Sequence, residues 1–346
     1  MIYNPEAILT LVWISFIICS LMVYYVPIFT QIGEHGKRLK SSQHNPPSYS
    51  SWMFVPKYYF NGFYIVGIIF MFLMLFVRVL GFYFCEMDEM FVKSHFSTSF
   101  QFLVASALFS IHLIRRSVES FTITYHGSTS KMHICGFLVG VIHYLLAVYY
   151  LTSFPFHQLG EILNSFFEQS FYQLVPNLLF IIIGSGFFIL CNFHQMLCHY
   201  ILYQLKLKTL ESKNERNEIG KLNISSSYSR PPKVGYFRET SNPHYIYEMK
   251  IYGSLCLVFG YPILFHLIPG FIRSFVQFII QFFNFGFPSF SIFNFLIEHL
   301  FELNLQSTST VPNCYGILFL WFWVVSNLVV VCKKNEQFYQ ENDKKK

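Results

Sequence analysis

The sequence predicts an all-α, polytopic transmembrane helix bundle with about seven spans, and three observations support this fold class. The chain is 53% hydrophobic and 20% aromatic, and only 12% of its 346 residues are charged, against about 25% in a soluble domain. Apolar stretches of roughly 20 residues, the length that crosses a bilayer, recur along the chain. The loops between them alternate in the sign of their charge.

Seven stretches have the length and composition of a spanning helix. They lie at residues 7–29, 59–81, 96–114, 133–154, 172–193, 250–271 and 314–332. Residues 274–297 are also apolar, but they contain Gln277, Gln281 and Pro288. We interpret them as a re-entrant or interfacial segment rather than an eighth span.

Loop charges predict the orientation of these spans. The loops at 31–58, 115–131 and 194–250 are basic, whereas those at 82–95 and 155–171 are acidic. Because basic loops stay in the cytosol, the N-terminus is expected to be luminal. The lysine-rich tail is expected to be cytosolic, and an eighth span would break this alternation.

We therefore expect residues 1–346 to form a single membrane domain. Residues 1–193 hold the first five spans, and 194–250 form a cytosolic cofactor-binding segment. Residues 251–346 hold the last two spans, with an insertion at about 272–312 and a short cytosolic tail.

The 194–250 segment is the strongest sign of an enzyme. His194, Gln195 and His199 close one apolar run, and His244 and Glu248 open the next. Polar and ionisable groups at the mouths of membrane helices are costly unless they bind something. The chain has no GxGxxG after a strand, P-loop, HExxH, GxSxG or spaced Cys/His set, which argues against Rossmann, hydrolase and metal-site classes.

Five short motifs stand in order at the predicted cytosolic ends of the spans. They are Val55-Pro56-Lys57 with Phe63-Tyr64, His112…Arg115-Arg116-x-x-Glu119 with Met132-His133, His194-Gln195…Cys198-His199, Pro232…Gly235-x-Phe237 with Pro243-His244-Tyr245-x-x-Glu248, and Asn327 with Gln337-Phe338-Tyr339. Together they resemble the steroid 5α-reductase superfamily, and within it the polyprenol (polyprenal) reductase branch that makes dolichol. The resemblance covers roughly residues 30–271 and 320–340.

The resemblance implies an NADPH site on the cytosolic side. Its expected residues are Arg115, Arg116, Gln195, His199, Arg230, His244, Glu248 and Tyr339. Arg116 and Arg230 match positions that hold the cofactor phosphates, and His244 and Glu248 match positions that hold the nicotinamide half. Asn242 or Ser241 is expected to cap the helix that follows.

Structural alternatives exist for each of these roles. The basic residues could serve only to fix topology and meet anionic headgroups. Gln195 and His199, four apart on one helix face, could satisfy each other or a neighbouring carbonyl. Glu248 could serve only to stabilise a helix N-terminus.

Chemistry near the substrate is expected from His112, Glu119 and His133, by resemblance. In the steroid enzymes a Tyr follows the position of His112 and helps to polarise the substrate carbonyl. Here that residue is Leu113, so this role cannot be transferred and the general acid has no assignment.

The resemblance implies reduction of the α-isoprene double bond of polyprenal or polyprenol, in a multi-pass endoplasmic reticulum protein that supports N-glycosylation. Hydride is a nucleophile, so the conjugated aldehyde is the expected reacting form. The expected partners are a polyisoprenoid substrate and membrane lipids, with no nucleic acid, no metal and no obligate protein partner.

Several departures keep other functions open. Glu336 and Gly62 replace histidines of the branch, only seven residues follow Tyr339, and 272–312 is an insertion. The alternatives are a related steroid or enoyl-type reductase, an isoprenyl-cysteine methyltransferase, and an inactive or receptor-like multi-span homologue.

Overall fold

The structure is a computed structural model, and it describes seven parts of the chain. These are residues 5–25, 53–84, 89–124, 130–152, 159–215, 233–260 and 315–344. The apolar segment 274–297, the insertion 272–312 and Arg230 lie outside the described residues.

The described residues are mostly helical. The helices are α1 (Pro5–Tyr25), α2 (Asn61–Phe84), α3 (Glu89–Thr122), α4 (Ile134–Leu151), α5 (Leu159–Phe167), α6 (Phe171–Glu215), α7 (Pro243–Val258) and α8 (Tyr315–Lys344). Two 3₁₀ turns, Lys57–Phe60 and Gly235–Arg238, precede α2 and α7. Pro243 opens α7 at its first turn, where its missing N–H costs no helical hydrogen bond.

A small antiparallel sheet accompanies the predicted helical fold. Strand β1 (Phe54–Pro56) pairs with β2 (Lys131–His133), and Val55 lies opposite Met132. The pairing ties the segment before α2 to the segment before α4 at one end of the bundle. Both segments belong to loops whose basic charge predicts the same side of the membrane.

Four helices are long and apolar enough to cross a membrane, among the residues that the structure describes. They lie at Lys57–Arg78, Ile134–Leu151, Phe171–Lys208 and Gly316–Gln340. The helical membrane fold is therefore confirmed, while the count of seven spans and their orientation stay predictions.

Two helices are much longer than the spans predicted within them. Helix α3 has 34 residues and α6 has 45, against predicted spans at 96–114 and 172–193. Helix α6 therefore continues to Glu215 through the first third of the segment predicted as a cytosolic loop. The stretch after residue 201 is rich in Leu, Lys, Gln and Glu, which are strong helix formers.

Helices α6 and α7 pack closely at a glycine. A Cβ added at Gly184 of α6 would lie 2.7 Å from the Val258 backbone nitrogen and 3.0 Å from the Ser254 carbonyl oxygen, both on α7. Small residues allow membrane helices to approach each other in this way. This contact sets the spacing of the two helices that carry much of the polar site described below.

We expect Gly184→Ala to destabilise the protein by about 1–3 kcal/mol, since the α7 backbone cannot move away without separating the helices. Gly186→Ala is the matched control, because a Cβ at Gly186 meets nothing within 4 Å. Thermal unfolding of the two purified variants in detergent measures the difference. Equal stability of both variants would contradict the close approach.

Candidate active site

One face of α3 carries four polar side chains into the interior of the bundle. His112, Arg115, Arg116 and Glu119 are three or four residues apart, so they project from the same side of the helix. The exposed fraction is 0% for His112, 9% for Arg116 and 4% for Glu119. Burying charged groups is expensive unless they are paired, and the neighbouring helices supply the partners.

These partners complete what we call the arginine cluster. Its members are Tyr64 of α2, His112, Arg115, Arg116 and Glu119 of α3, Asn192, Gln195 and His199 of α6, and Glu248 of α7. Four separate helices therefore meet at one buried polar centre.

Arg115 connects α3 to α6. Its Nη1 pairs with Oε1 of Glu119, and its Nη2 donates to Oε1 of Gln195. Its Nε lies 3.0 Å from Oδ1 of Asn192. A guanidinium with several fixed acceptors is rigidly oriented.

Arg116 reaches in a different direction. Its Nη1 lies 2.8 Å from Oε2 of Glu119, and its Nη2 donates to the Tyr64 hydroxyl at 2.8 Å. Nδ1 of His199 lies 2.6 Å from Arg116 Nη1 and 2.8 Å from Glu119 Oε2. That nitrogen can accept from the guanidinium or donate to the carboxylate, according to its tautomer.

Glu119 therefore holds two guanidinium groups together. Burial raises its pKa, but the His199 hydrogen bond and the charges of Arg116 and Arg115 outweigh burial and lower the pKa to about 2. The carboxylate stays ionised at physiological pH, and it cannot act as a proton donor there.

Helix α7 approaches the cluster through Glu248 and the backbone of His244. Nε2 of Gln195 donates to Oε2 of Glu248 and, at 3.2 Å, to the carbonyl oxygen of His244. Oε1 of Glu248 lies 3.4 Å from Nε2 of His112. Burial raises the Glu248 pKa, but His112, Arg116 and Gln195 together lower it well below the ordinary value.

Three buried polar atoms around the cluster lack a hydrogen-bond partner within the described part of the chain. They are Nε2 of His112, Nε of Arg116 and Nδ1 of His244. The His112–Glu248 contact is close enough for an ion pair but is not aligned as a hydrogen bond. Burial lowers the His244 pKa well below its ordinary value, so the ring is neutral. Unpaired buried polar atoms mark a place where a polar ligand can bind.

Two predicted residues lie elsewhere. His133 caps α4, accepting a hydrogen bond from the Cys135 backbone nitrogen at 3.2 Å, and its ring packs on Phe54 at 5.5 Å. Tyr339 is half-buried on α8, one turn after Asn335. Asn335 donates to Oδ1 of Asn242 at 2.9 Å, so this face of α8 is turned toward the start of α7.

Asn242 differs from the expected cap. It stands at the N-cap position of α7, but its side chain makes no capping hydrogen bond. The side chain bonds to Asn335 and to Ser241 instead. Asn242 therefore joins α7 to α8.

A second set of polar groups adjoins the arginine cluster, and no spacing along the chain predicts that its members meet. The Tyr144 ring packs edge-on against the Tyr64 ring with 5.3 Å between centroids, and against the His143 ring with 4.9 Å between centroids. The Tyr252 hydroxyl lies 3.0 Å from Nε2 of His143, and the Trp323 indole donates to Nδ1 of His143 at 3.0 Å. We call Tyr64, Tyr144, Tyr252 and His143 the tyrosine chain. It runs from Arg116 to Trp323 through α2, α4 and α7.

A further cluster lies beside α6. Nδ1 of His194 is 2.6 Å from the Tyr236 hydroxyl, and the His194 ring stacks on Tyr247 with 5.2 Å between centroids. Gly235 has a φ of +54°, a conformation that suits glycine. These contacts hold the 3₁₀ turn before α7 against α6. Within the described residues, no group of three His, Cys, Asp or Glu side chains has the arrangement of a metal site.

The chain is similar in sequence to several curated proteins. It is 26% identical over 295 residues to the polyprenal reductase of Mesocricetus auratus, covering 75% of this chain and 82% of that protein. It is 26% identical over 230 residues to polyprenal reductase 1 of Arabidopsis thaliana, covering 60% and 67%. The human polyprenal reductase is 25% identical over 260 residues, covering 68% and 72%.

These similarities confirm the family resemblance inferred from the five motifs. No protein-family model and no solved structure matches the chain. The similarity extends to polyprenal reductases of both animals and plants.

Proposed function

We propose that this chain, which is similar in sequence to curated polyprenal reductases, is a member of the polyprenal reductase branch of the steroid 5α-reductase superfamily and an NADPH-dependent reductase of polyprenal. Reduction of the α-isoprene double bond leads to dolichol and supports protein N-glycosylation. The observation that carries this proposal is the arginine cluster. Four of the five motifs, from α2, α3, α6 and α7, meet there in one buried polar centre.

The chemistry favours the aldehyde as the reacting form. An isolated alkene does not accept hydride readily, but conjugation with a carbonyl makes the β-carbon electrophilic. Negative charge then develops on the carbonyl oxygen, and groups aimed at that oxygen supply the largest catalytic effect. A buried site with fixed donors suits this need, since little reorganisation is required.

The residues of the cluster fit the nicotinamide half of the cofactor. NADPH, when bound, supplies the hydride. His112 and Arg116 of the cluster, and the adjacent His244, each offer a buried nitrogen without a hydrogen-bond partner among the described residues, and a carboxamide can both donate to and accept from such groups. Gln195 and His199 hold Arg115 and Arg116 in place.

The phosphates need positive charge from outside the cluster. Arg115 and Arg116 are balanced there by Glu119 and Glu248, so these four side chains together carry no net charge. Lys233 is exposed just before α7, and Arg230 lies three residues earlier in the sequence. We assign the phosphate contacts to Lys233 and Arg230. Arg115 and Arg116 are assigned to the buried cluster that fits the nicotinamide half.

The lipid tail of the substrate is expected to remain in the bilayer. Large apolar side chains such as Phe72 and Phe76 on α2 are exposed, at 64% and 60%. Exposed apolar side chains of this size suit a lipid environment. Seven spans, a luminal N-terminus, a cytosolic C-terminus and residence in the endoplasmic reticulum complete the proposal.

In the direct test, membranes that contain this chain are incubated with NADPH and with either polyprenal or polyprenol. We expect saturated product from the aldehyde, with loss of NADPH absorbance, because only the aldehyde is activated toward hydride. Arg116→Ala and His244→Ala should abolish NADPH binding by the purified protein. Turnover of the alcohol with no aldehyde formed would overturn the aldehyde mechanism. Binding of S-adenosylmethionine in place of NADPH would indicate a methyltransferase instead.

A further inference from the structure

Asn192 of α6 lies against the His112 ring of α3 in the arginine cluster. We propose that Asn192 is a positioning residue for the cofactor. It holds the His112 proton on Nδ1, so that Nε2 and Oε1 of Glu248 form a pair of acceptors that selects a nicotinamide ring by its amide N–H. This role rests on the use of NADPH proposed above. Asn192 and His112 are both buried, with exposed fractions of 6% and 0%.

Two neighbours fix the orientation of the Asn192 amide. Its Nδ2 donates to the Phe188 carbonyl oxygen at 2.8 Å, and a carbonyl oxygen can only accept. Its Oδ1 accepts from Nε of Arg115 at 3.0 Å, and a guanidinium can only donate. A rotated amide would place two acceptors together at one end and two donors together at the other. The atom that faces His112 is therefore the amide oxygen.

That oxygen sets the tautomer of the His112 ring. It lies 2.9 Å from Nδ1, and because an amide oxygen has only lone pairs, Nδ1 must carry the proton that joins them. Nη2 of Arg115 also lies near Nδ1, at 3.3 Å, but it donates to Oε1 of Gln195. If Nδ1 accepted from Arg115 instead, its lone pair would face that of the Asn192 oxygen at 2.9 Å. The neutral ring therefore has its lone pair on Nε2.

Nε2 of His112 is buried and has no hydrogen-bond partner among the described residues. Oε1 of Glu248 lies 3.4 Å away, and an ionised carboxylate offers only acceptors. A proton on Nε2 itself would also stay unpaired, because the contact with Glu248 is not aligned as a hydrogen bond. A buried acceptor without a donor is destabilising, so these two atoms favour a ligand that donates to both.

A carboxamide is a donor that suits this pair. Its NH2 group can donate to both atoms, whereas a carboxylate or a ketone in the same place has no hydrogen to donate. A ligand can approach from the Glu248 side, since that side chain is 14% exposed and the His112 side chain is 0% exposed. The nicotinamide ring of NADPH carries such an amide, so the pair would distinguish it from a ring that carries an acid or a ketone.

The first test compares the binding of NADPH with that of its 3-acetylpyridine analogue, which keeps the ring carbonyl but has a methyl group in place of the NH2. We expect the purified full-length protein to bind NADPH about 10- to 100-fold more tightly, the effect of a hydrogen bond to a charged group. Asn192→Leu frees the His112 ring to carry its proton on Nε2, so this preference should fall on the order of 10-fold. A loss of packing alone would weaken the binding of both nucleotides alike and keep their ratio.

Asn177→Leu is the matched control. Asn177 is a buried amide on the same helix, with an exposed fraction of 4%, and it is bonded to Gln101 and Gln169. It lies about 22 Å from Asn192 along α6, so its loss should leave the preference unchanged.

The outcomes separate the role of Asn192 from the proposed function. Equal binding of the two nucleotides by the wild type, or an unchanged preference in Asn192→Leu, overturns the role of Asn192 alone. Binding of neither nucleotide by the wild type overturns the proposed cofactor and this role with it.

A second test observes the tautomer directly and needs no ligand. Nitrogen NMR of protein with isotope-labelled histidine rings separates a protonated ring nitrogen from a bare one. His112→Gln identifies the His112 signals among the 13 histidines. We expect Nδ1 of His112 to be protonated and Nε2 to be bare in the wild type at neutral pH. A proton on Nε2, alone or together with one on Nδ1, overturns the role of Asn192 whatever the protein binds.

Discussion

Glu119→Ala is expected to be the most destabilising single substitution in the described part of the chain. The carboxylate pairs with both Arg115 and Arg116 inside the bundle, with an exposed fraction of 4%. Its removal leaves two guanidinium groups without their main counter-charge. Breaking a buried pair in this way costs about 3–5 kcal/mol. The yield of folded protein and its unfolding temperature in detergent measure the effect.

The control for this experiment is Glu168→Ala, which removes an exposed carboxylate from the turn before α6. It should change stability by less than about 0.5 kcal/mol. Glu119→Gln should fall between the two, since the amide oxygen still accepts from one guanidinium. A Glu119→Ala protein as stable as Glu168→Ala would show that the ion pairs are not formed.

The Glu119 ion pairs also predict a pH dependence. The pKa of this carboxyl is lowered from an ordinary value of 4.5 to about 2. A lowered pKa contributes stability that is fully present above the unfolded value. The contribution is then lost as the pH falls from about 4.5 through about 2. Glu119→Gln should therefore lose the part of the acid sensitivity that lies in this window.

The second large effect is expected at Glu248, on the binding of NADPH. Glu248 orients Gln195 and faces His112, and both are expected to position the nicotinamide. Its carboxylate is ionised because His112, Arg116 and Gln195 lower its pKa in spite of burial. A charged hydrogen bond contributes about 1.5–3 kcal/mol, so Glu248→Gln should weaken NADPH binding roughly 10- to 100-fold.

Fluorescence titration of the purified protein with NADPH checks this expectation. Glu239→Gln is the matched control, since Glu239 is exposed just before α7 and should bind NADPH like the wild type. If Glu248→Gln also bound like the wild type, Glu248 would have only a structural role, in its contacts with Gln195 and His112.

Helical spacing predicts the parts of the site that lie on one helix. Gln195 and His199 were expected on one face of a helix, and both contact the arginines of α3. His244 and Glu248 were paired in the same way, and Gln195 contacts both. The structural alternative for Gln195 and His199 is met in part: they do not pair with each other, but Gln195 donates to a neighbouring backbone carbonyl, that of His244. The partners are on neighbouring helices instead.

The sequence around each residue does not predict contacts between helices that are far apart along the chain. Tyr64 is 52 residues from Arg116, and His143 is 180 residues from Trp323. Tyr64, His143 and Trp323 each lie in an apolar stretch, and no spacing along the sequence relates them to one another. Asn192 likewise lies inside a predicted span, and the sequence does not predict its contacts with α3. The rotation and packing of the helices decide which of these side chains come into contact. Periodicity along one helix does not predict how that helix is rotated against its neighbours.

The length of α6 has a consequence for the energy of substrate entry. Gln195 lies 24 residues after the helix begins at Phe171, which is about 36 Å along the axis. The hydrocarbon of a bilayer is about 30 Å thick, so a straight crossing brings Gln195 to the boundary between lipid and water. A long isoprenoid can present its polar end at this level without leaving the membrane. Each methylene left in lipid avoids about 0.8 kcal/mol of transfer into water, so a substrate of the proposed kind need not be extracted from the membrane.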